Sequence, residues 1–483
     1  MTISQVKKLD SIEALTAYTA ALGIDLPLVD RVSGTGSLSR RLTITDGGAG
    51  DLVVGNRWSI LPMEGWDAEA DGRPSELVHR RWRRFGSSGA KLIWGGEAVA
   101  VVPEGRANPR QVTYDVDRTE AFAALRSDLL AAHAEAGFDT EDLVVGLQLT
   151  HSGRWSRPVA EPAPRTMYTH PVLDSRVGAD AGSVLSDDEL HHITDRYVAA
   201  AGVAADAGFA FVDVKACHGY LLHESLTAFD RTGPFGGDFA GRTRLLLGII
   251  DRIRSEHPNL GIGVRLSAID DLPHQMGDDG VGVADPAATF RLAFGRNDDT
   301  GDIDLDEPNQ LLVELRRRGV GMVCVTVGSP YYNPHIQRPA FFPPSDGYHP
   351  PEDPLVGVVR QLDVTRRLAE AHPEMAIVGS GYSYLQQWLP NVGEAVVASG
   401  GAASIGLGRM VLSYPHLPAD VAAERELERR LICRTFSDCT TAPRNGLVSG
   451  CYPLDPFYKA LPERKTLTIA KREAEANRGG RRR

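Results

Sequence analysis

Cysteine is scarce, with five residues in a chain of 483. So few thiols over such a length exclude a disulfide-stapled fold and fit a reducing, cytoplasmic setting. Long apolar runs are missing too. No stretch approaches the roughly 20 residues of a membrane-spanning helix. The opening residues, MTISQVKKLDSIEAL, lack the apolar centre of a secretory signal. Excess positive charge is also absent. The formal net charge is −11, which disfavours a general nucleic-acid-binding role. The basic run RGGRRR after Asn477 is the exception and reads as a solvated end without a function. Finally, no G-x-G-x-x-G follows the first apolar run, so the signature turn of a dinucleotide-binding open sheet is missing.

What is present is a regular alternation. Eight short apolar or β-branched runs occur in order: 58–63, 92–99, 143–149, 209–214, 261–266, 322–327, 376–379 and 404–408. Helical patterns follow them at 74–85, 118–136, 187–207, 241–256, 308–318, 355–371, 384–399 and 418–431. The third opens on Ser186 with Glu189 three residues later, a capping-box spacing. Eight strand–helix alternations predict a closed α/β fold, the (β/α)8 TIM barrel. Two stretches exceed the minimal barrel, 274–302 and the proline- and tyrosine-dense 329–354. Both follow strands, so both belong on the face where such barrels do chemistry. A lid or substrate wall and a peripheral insertion both remain open for them.

The strand ends carry the functional signal. The fourth run ends in Lys215, Cys217, His218, Gly219 and Tyr220, in FAFVDVKACHGYLLHE. The first ends in Pro62, Met63 and Glu64, the second in Glu97 and Ala98, the third in Gln148, His151 and Arg154, and the fifth in Arg265. The last two give Gly379 with Gly381, then Gly406, Gly408 and Arg409. Glycine-rich turns and an arginine on the late strands suit a phosphate, and the middle strands supply an amide, imidazoles, a phenol and cations. The pocket is predicted to hold a phosphorylated cofactor with polar groups around its ring system.

Four pieces, in order, make a match: NRWSILPMEG, GLQLTHSGRWSRP, VDVKACHGYLLHE with DRTGPFGG, and IGLGRMVLSYP. The chain resembles the Old Yellow Enzyme family of FMN-dependent oxidoreductases from about Asn56 to about Pro415. It is similar to the 2,4-dienoyl-CoA reductase-like branch without that branch's C-terminal domains. The resemblance implies an FMN-binding barrel over 51–430, an N-terminal segment 1–50 and a C-terminal extension 431–483. It implies that Pro62, Met63 and Glu64 lie beside the flavin N5 edge and Ala98 near the pyrimidine side. Gln148 would hydrogen-bond the ring and Arg265 would face its N1/O2 end. Gly379, Gly381, Gly408 and Arg409 would form the phosphate turn. His218 would bind the substrate carbonyl, Tyr220 would deliver a proton, and NAD(P)H would be the reductant.

Chemistry supports these roles. A conjugated carbonyl accepts hydride at its β-carbon only when its oxygen is polarised, which His218 and Lys215 can do. A phenol with an ordinary pKa near 10 stays protonated at neutral pH and can supply the α-proton.

The chain also departs from the family. Lys215 stands where His is usual, and three readings are open for it: a carboxylate binder, an enolate binder or a partner of Glu64. Glu64 replaces a small Thr or Cys, and Asp238 replaces a Ser. Some family members carry an iron–sulfur cluster on four cysteines. Here Cys439 and Cys451 match the last two ligand positions, the first two fall on Ile432 and Thr435, and Cys433 lies one residue off. Three thiols are one short of a four-cysteine cluster, so no metal is expected; Cys433, Cys439 and Cys451 would be ligands only if a cluster with another fourth ligand were present.

Bland readings stand beside these. His151 reads as structural or flavin-adjacent, Arg154 and Arg157 as carboxylate partners, His191 and His192 as surface, and Cys217 and Cys324 as buried strand residues. Tyr331 and Tyr332 either line the pocket or pack their own loop. The expected partner is a small molecule, with no nucleic acid and no membrane, and a homo-oligomer is compatible with the sequence. Three alternatives to an ene-reductase remain: an iron–sulfur flavoenzyme (dehydrogenase or demethylase) fed by an electron-transfer partner, a phosphate-binding barrel lyase using Lys215 as a Schiff-base amine, and a flavin-binding module without turnover.

Overall fold

The apolar runs become parallel strands that close on themselves. The computed structural model describes residues 3–479. Its main sheet comprises β1 (Trp58–Ile60), β2 (Leu92–Ile93 continued by Ala98–Ala100), β3 (Val144–Thr150), β4 (Phe211–Ala216), β5 (Gly261–Ile269), β6 (Met322–Val327), β7 (Ala376–Gly379) and β8 (Ser404–Leu407). Each strand pairs in parallel with the next. β8 pairs back onto β1, Ile405 opposite Trp58 and Leu407 opposite Ile60. The fold is the expected (β/α)8 barrel.

The second strand is interrupted where one continuous run was expected. Gly96 has φ +53°, and a Cβ there would lie 2.6 Å from the Trp82 ring. The chain bulges at this point, yet both halves pair with β3, Leu92 opposite Val144 and Ala98 opposite Gln148.

Six expected helices form with ends shifted by a residue or two, as Glu76–Gly86, Thr119–Glu135, Asp187–Asp206, Phe239–Glu256, Asp306–Arg317 and Pro354–Ala371, and the seventh starts five residues late, as Leu389–Ala398 after a 3-10 segment Tyr382–Trp388. Their starts follow capping chemistry. The Ser186–Glu189 box is reciprocal. Asp238 accepts the Gly241 N–H at 2.8 Å, so the carboxylate that replaces the family's usual Ser caps the Phe239–Glu256 helix. The last expected helix, 418–431, is not continuous. Arg409–Ser413 and Leu417–Ala422 form instead, because Glu424 turns to φ +53° and ends the helix. Its carboxylate then accepts the Gly34 N–H at 2.9 Å and ties down the N-terminal segment.

The two ends of the barrel differ. An antiparallel hairpin, Leu42–Asp46 with Gly50–Val54, closes the bottom. Its Leu42, Ile44 and Val54 pack with Leu92, Trp94, Phe211 and Met322 in an apolar interior cluster, each contributing about 1.5–3 kcal/mol by burial. The top is built from longer segments. The insertion after β5 carries a small hairpin, His274–Met276 with Gly282–Ala284, and His274 packs 4.5 Å from His335 of the loop after β6. The C-terminal extension folds back over the same end as helices Asp438–Arg444, Pro456–Ala460 and Glu463–Gly479. Within the basic run that the sequence marks as solvated, Arg478 is instead buried and donates to the carbonyls of Pro344 and Gly347 at 2.9 Å each; residues 480–483 lie outside the described ones. Among the described residues no helix is long and apolar enough to cross a membrane.

Candidate active site

At the top of the barrel β4 delivers three side chains into one cavity. Beyond Ala216 the chain turns sharply, and His218 and Gly219 both take left-handed backbone, with φ +67° and +77°. Such a conformation in a histidine costs on the order of 1–3 kcal/mol and persists only where neighbours enforce it. Ser267 Oγ accepts the His218 N–H at 3.0 Å, and Ser329 Oγ donates to its carbonyl at 2.7 Å. The Gln337 amide nitrogen lies 3.1 Å from His218 Nε2. With that amide donating, the ring proton resides on Nδ1. Burial, then the charges of Arg265 and Lys215, holds the imidazole well below its usual pKa, so it is neutral.

Tyr220 is buried against this histidine's turn. Its hydroxyl donates to Glu64 Oε2 at 2.7 Å and lies 2.8 Å from the Tyr331 hydroxyl. Burial first, and the Glu64 charge second, pushes the phenol well above its ordinary pKa. Lys215 Nζ stands 3.6 Å over the Tyr220 ring, a cation–π contact. Among the described residues Lys215 forms no ion pair with Glu64. That carboxylate is taken by Tyr220 and, at 3.4 Å, by Asn108. Burial lowers the Lys215 pKa, and Glu64 opposes the shift. Tyr331 stacks on Trp155 with centroids 4.5 Å apart and planes 9° apart, forming a flat aromatic wall above the phenol.

The opposite side of the cavity holds two arginines, Arg265 and Arg409, whose side chains form no ion pair among the described residues. Arg265 donates to the Pro62 carbonyl at 3.3 Å, while its buried Nε has no partner. Asp213 orients this region, accepting the Arg265 N–H at 2.7 Å and the Gln148 amide nitrogen at 2.6 Å. Burial raises the Asp213 pKa to about 6. With its nitrogen committed, Gln148 offers its amide oxygen as the free acceptor. Arg409 donates to the Pro339 carbonyl at 2.9 Å and leaves Nη1 buried and unpartnered. Beside it Arg338 donates to the hydroxyls of Ser437 and Thr440 only. Desolvation, then the charge of Arg409, pushes the Arg338 pKa down. Neighbouring guanidiniums with unused donors call for an anion.

The expected residues converge. Pro62, Met63, Glu64, Gln148, Lys215, His218, Tyr220, Arg265, Gly381, Gly408 and Arg409 line one cavity of about 310 Å³. Ala98 and Gly379 do not line it. The Ala98 carbonyl accepts from Gln111 at 2.8 Å inside the wall. Gln337 and Arg338, from the loop after β6, and Cys439 and Cys451, from the C-terminal extension, join the lining unforeseen as cavity walls. Cys433 and Cys451 are buried, and among the described residues no group of three or more His, Cys, Asp or Glu is placed to hold a metal. The bland readings also find their places. Arg154 is paired with Glu224 and Asp174. His151 is buried and pushed down to about 3 by desolvation. His191 and His192 are exposed.

Orphaned buried donors on Arg265 and Arg409, a free Gln148 acceptor, and an anion-seeking arginine pair together suit a planar heterocycle bearing a phosphate. Such a site on this barrel suits a phosphorylated cofactor. The chain belongs to the NADH:flavin oxidoreductase / NADH oxidase family, whose model matches residues 50–306. The family's cofactor is FMN, and the residues present fit it. An NADPH dehydrogenase of Bacillus velezensis is 27% identical over 226 residues, covering 46% of this chain and 62% of that protein. An NADH:flavin oxidoreductase of Gibberella zeae is 32% identical over 277 residues, covering 53% and 62%. The chain thus spans about 62% of these relatives' length. The same fold occurs in a 2-naphthoyl-CoA reductase (TM-score 0.63, 16% identity, covering 89% of this chain and 58% of that one). It also occurs in an Old Yellow Enzyme homologue of Zymomonas mobilis (TM-score 0.54, 19% identity, covering 81% and 94%).

Proposed function

We propose that this chain is an FMN-dependent NAD(P)H oxidoreductase of the Old Yellow Enzyme type that reduces an activated C=C bond of a small organic molecule. The observation that carries the reading is the wall formed by His218 and Tyr220, which face a cavity whose far side holds unpaired arginines. Bound FMN would supply the hydride. The neutral His218 offers its Nδ1–H to a substrate carbonyl, and Lys215 adds a positive charge on the same side. Both stabilise the oxyanion-like charge that develops when the β-carbon is attacked. Tyr220 remains a phenol throughout the neutral range and gives its proton to the α-carbon. The Tyr331–Trp155 stack excludes water above the reacting atoms. Arg265 places positive charge beside Gln148, where a reduced ring would carry negative charge. In this reading 51–430 is the catalytic barrel, and 431–483 serves as an outer wall of its cavity.

Tyr220→Phe tests the assignment. Reduction of the holoenzyme by NADPH should be unchanged, and reoxidation by an enone should slow roughly 10²–10⁴-fold. Equal loss in both half-reactions would remove Tyr220 from proton delivery.

A further inference from the structure

Lys215 stands on β4 with its side chain buried, 4% exposed, and lining the cavity. Among the described residues its Nζ forms no hydrogen bond and no ion pair; it rests over the Tyr220 ring, 3.6 Å from the centroid. Glu64 is not its partner. Oε2 of that carboxylate accepts from the Tyr220 hydroxyl at 2.7 Å and Oε1 from Asn108 at 3.4 Å, so its charge reaches Lys215 only through space. Three residues on, His218 lines the same cavity. Its Nε2 meets the Gln337 amide nitrogen at 3.1 Å, which leaves Nδ1–H without a protein partner among the described residues. A buried ammonium without an acceptor is costly, and an unused ring N–H beside it adds to that cost. The turn that ends β4 therefore presents two unspent donors, one of them cationic.

Resting on the proposed ene-reductase reading, we propose that the substrate is a conjugated carboxylic acid, a 2-enoate, whose carboxylate is held between Lys215 and His218. A neutral donor suffices at an enone oxygen, where hydride addition takes the oxygen from neutral to singly negative. At a carboxylate the same addition drives the group from one negative charge towards two. In a cavity where charges are poorly screened, a cation at that group offsets the build-up far better than a second neutral imidazole. Hydride from reduced FMN forms the Cβ–H bond, and the C=C electron pair moves onto the carboxylate. That pair then takes the Tyr220 proton to form the Cα–H bond. The products are the saturated acid and oxidised FMN, and solvent returns a proton to Tyr220.

Other groups fit this task less well. Arg265 donates to the Pro62 carbonyl at 3.3 Å and sits with Gln148 on the side that suits the flavin ring. Arg338 and Arg409 belong to the phosphate side. A second imidazole at position 215 would meet the same surroundings as His218, which burial and neighbouring charges hold neutral. Burial lowers the Lys215 pKa as well, and a bound carboxylate reverses that shift. The flat Tyr331–Trp155 stack gives the unsaturated chain or an aryl group of the acid a surface to pack on.

The first test is binding without turnover. Oxidised FMN holoenzyme, with no nucleotide present, is titrated calorimetrically with trans-cinnamate and with trans-cinnamamide, which share a shape and differ in charge. The acid should bind roughly 10–100-fold more tightly than the amide. Lys215→Met, which keeps the length of the side chain and removes its charge, should collapse that ratio to near one, and Lys215→Gln should do the same if the first variant fails to fold. Equal affinities in the wild type, no binding of cinnamate, or a ratio that survives both substitutions overturns the carboxylate site. A second measurement adds each acid or ketone to NADPH-reduced holoenzyme. Cinnamate should reoxidise the flavin. If 2-cyclohexenone does so and cinnamate does not, the acid is not the substrate class and the ene-reductase reading stands. If neither reoxidises it, the underlying reading fails and this inference fails with it.

Discussion

Two buried guanidinium sites at the top of the barrel make opposite use of the same side chain. After β3, Arg154 meets Glu224 at 2.8 Å, pairs with Asp174 and donates to the Tyr168 carbonyl at 2.8 Å. Within β5 and just past β8, Arg265 and Arg409 donate to backbone carbonyls, form no ion pair among the described residues and keep buried N–H groups unused, and Arg409 has Arg338 as a cationic neighbour. A guanidinium taken out of water needs acceptors. Where the protein supplies them, the arginine is structural. Where it withholds them, the unused donors suit an anion from outside. Both sites are buried near the top of the barrel, and that location does not separate them.

Single substitutions can break the comparison. The largest effect is expected from Arg154→Ala, which strands Glu224 as a buried charge and should cost about 3–5 kcal/mol of stability in a urea titration. FMN affinity should change little in whatever fraction folds. Arg409→Ala should behave oppositely, with apo stability unchanged or raised as its repulsion with Arg338 disappears. FMN should bind roughly 10–100-fold more weakly, the loss of about 1.5–3 kcal/mol for a charge-assisted contact, read by flavin fluorescence quenching. Arg338→Ala sharpens the point with a smaller shift, roughly tenfold. If either variant destabilises the apo protein as Arg154→Ala does, the contrast fails.

The smallest effect is a pH slope. His170, beside Arg154, accepts the Val172 and Leu173 N–H groups at 3.1 and 3.2 Å, and burial pushes it down to about 3. The unfolded chain protonates this ring near pH 6.5, whereas the folded chain resists. The stability it contributes is therefore lost as pH falls from about 6.5 towards about 3. Each pH unit in that window costs about 1.4 kcal/mol. His170→Asn should flatten the fall in denaturant midpoint between pH 6 and 5, with no change in FMN binding.

The barrel was legible because eight apolar runs and their helices are local patterns, and the residues at strand ends inherit their placement from that order. Lys215, His218, Tyr220 and Arg265 reach the cavity for this reason. What escaped depends on contacts distant in sequence. The break in β2 falls at Gly96, whose φ is +53° and which has no room for a Cβ beside the Trp82 ring. Ala98 does not line the cavity, and its carbonyl accepts from Gln111. Gln337 and Arg338 lie in a loop that composition marks as unusual but cannot aim. The wall formed by Cys439 and Cys451 needs the whole C-terminal extension to fold back. The role of Glu64 was visible as a departure from the family but not as a partner of Tyr220, since that bond spans 156 residues.

The central claim is a reducible flavin held among the unpaired arginines. The visible spectrum of the purified protein, recorded before and after anaerobic addition of NADPH or NADH, tests it most directly. A yellow protein, or one that turns yellow with added FMN, whose absorbance bleaches with either nucleotide is the predicted result. Colourless protein that takes up no FMN, or bound flavin that neither nucleotide bleaches, would contradict the account.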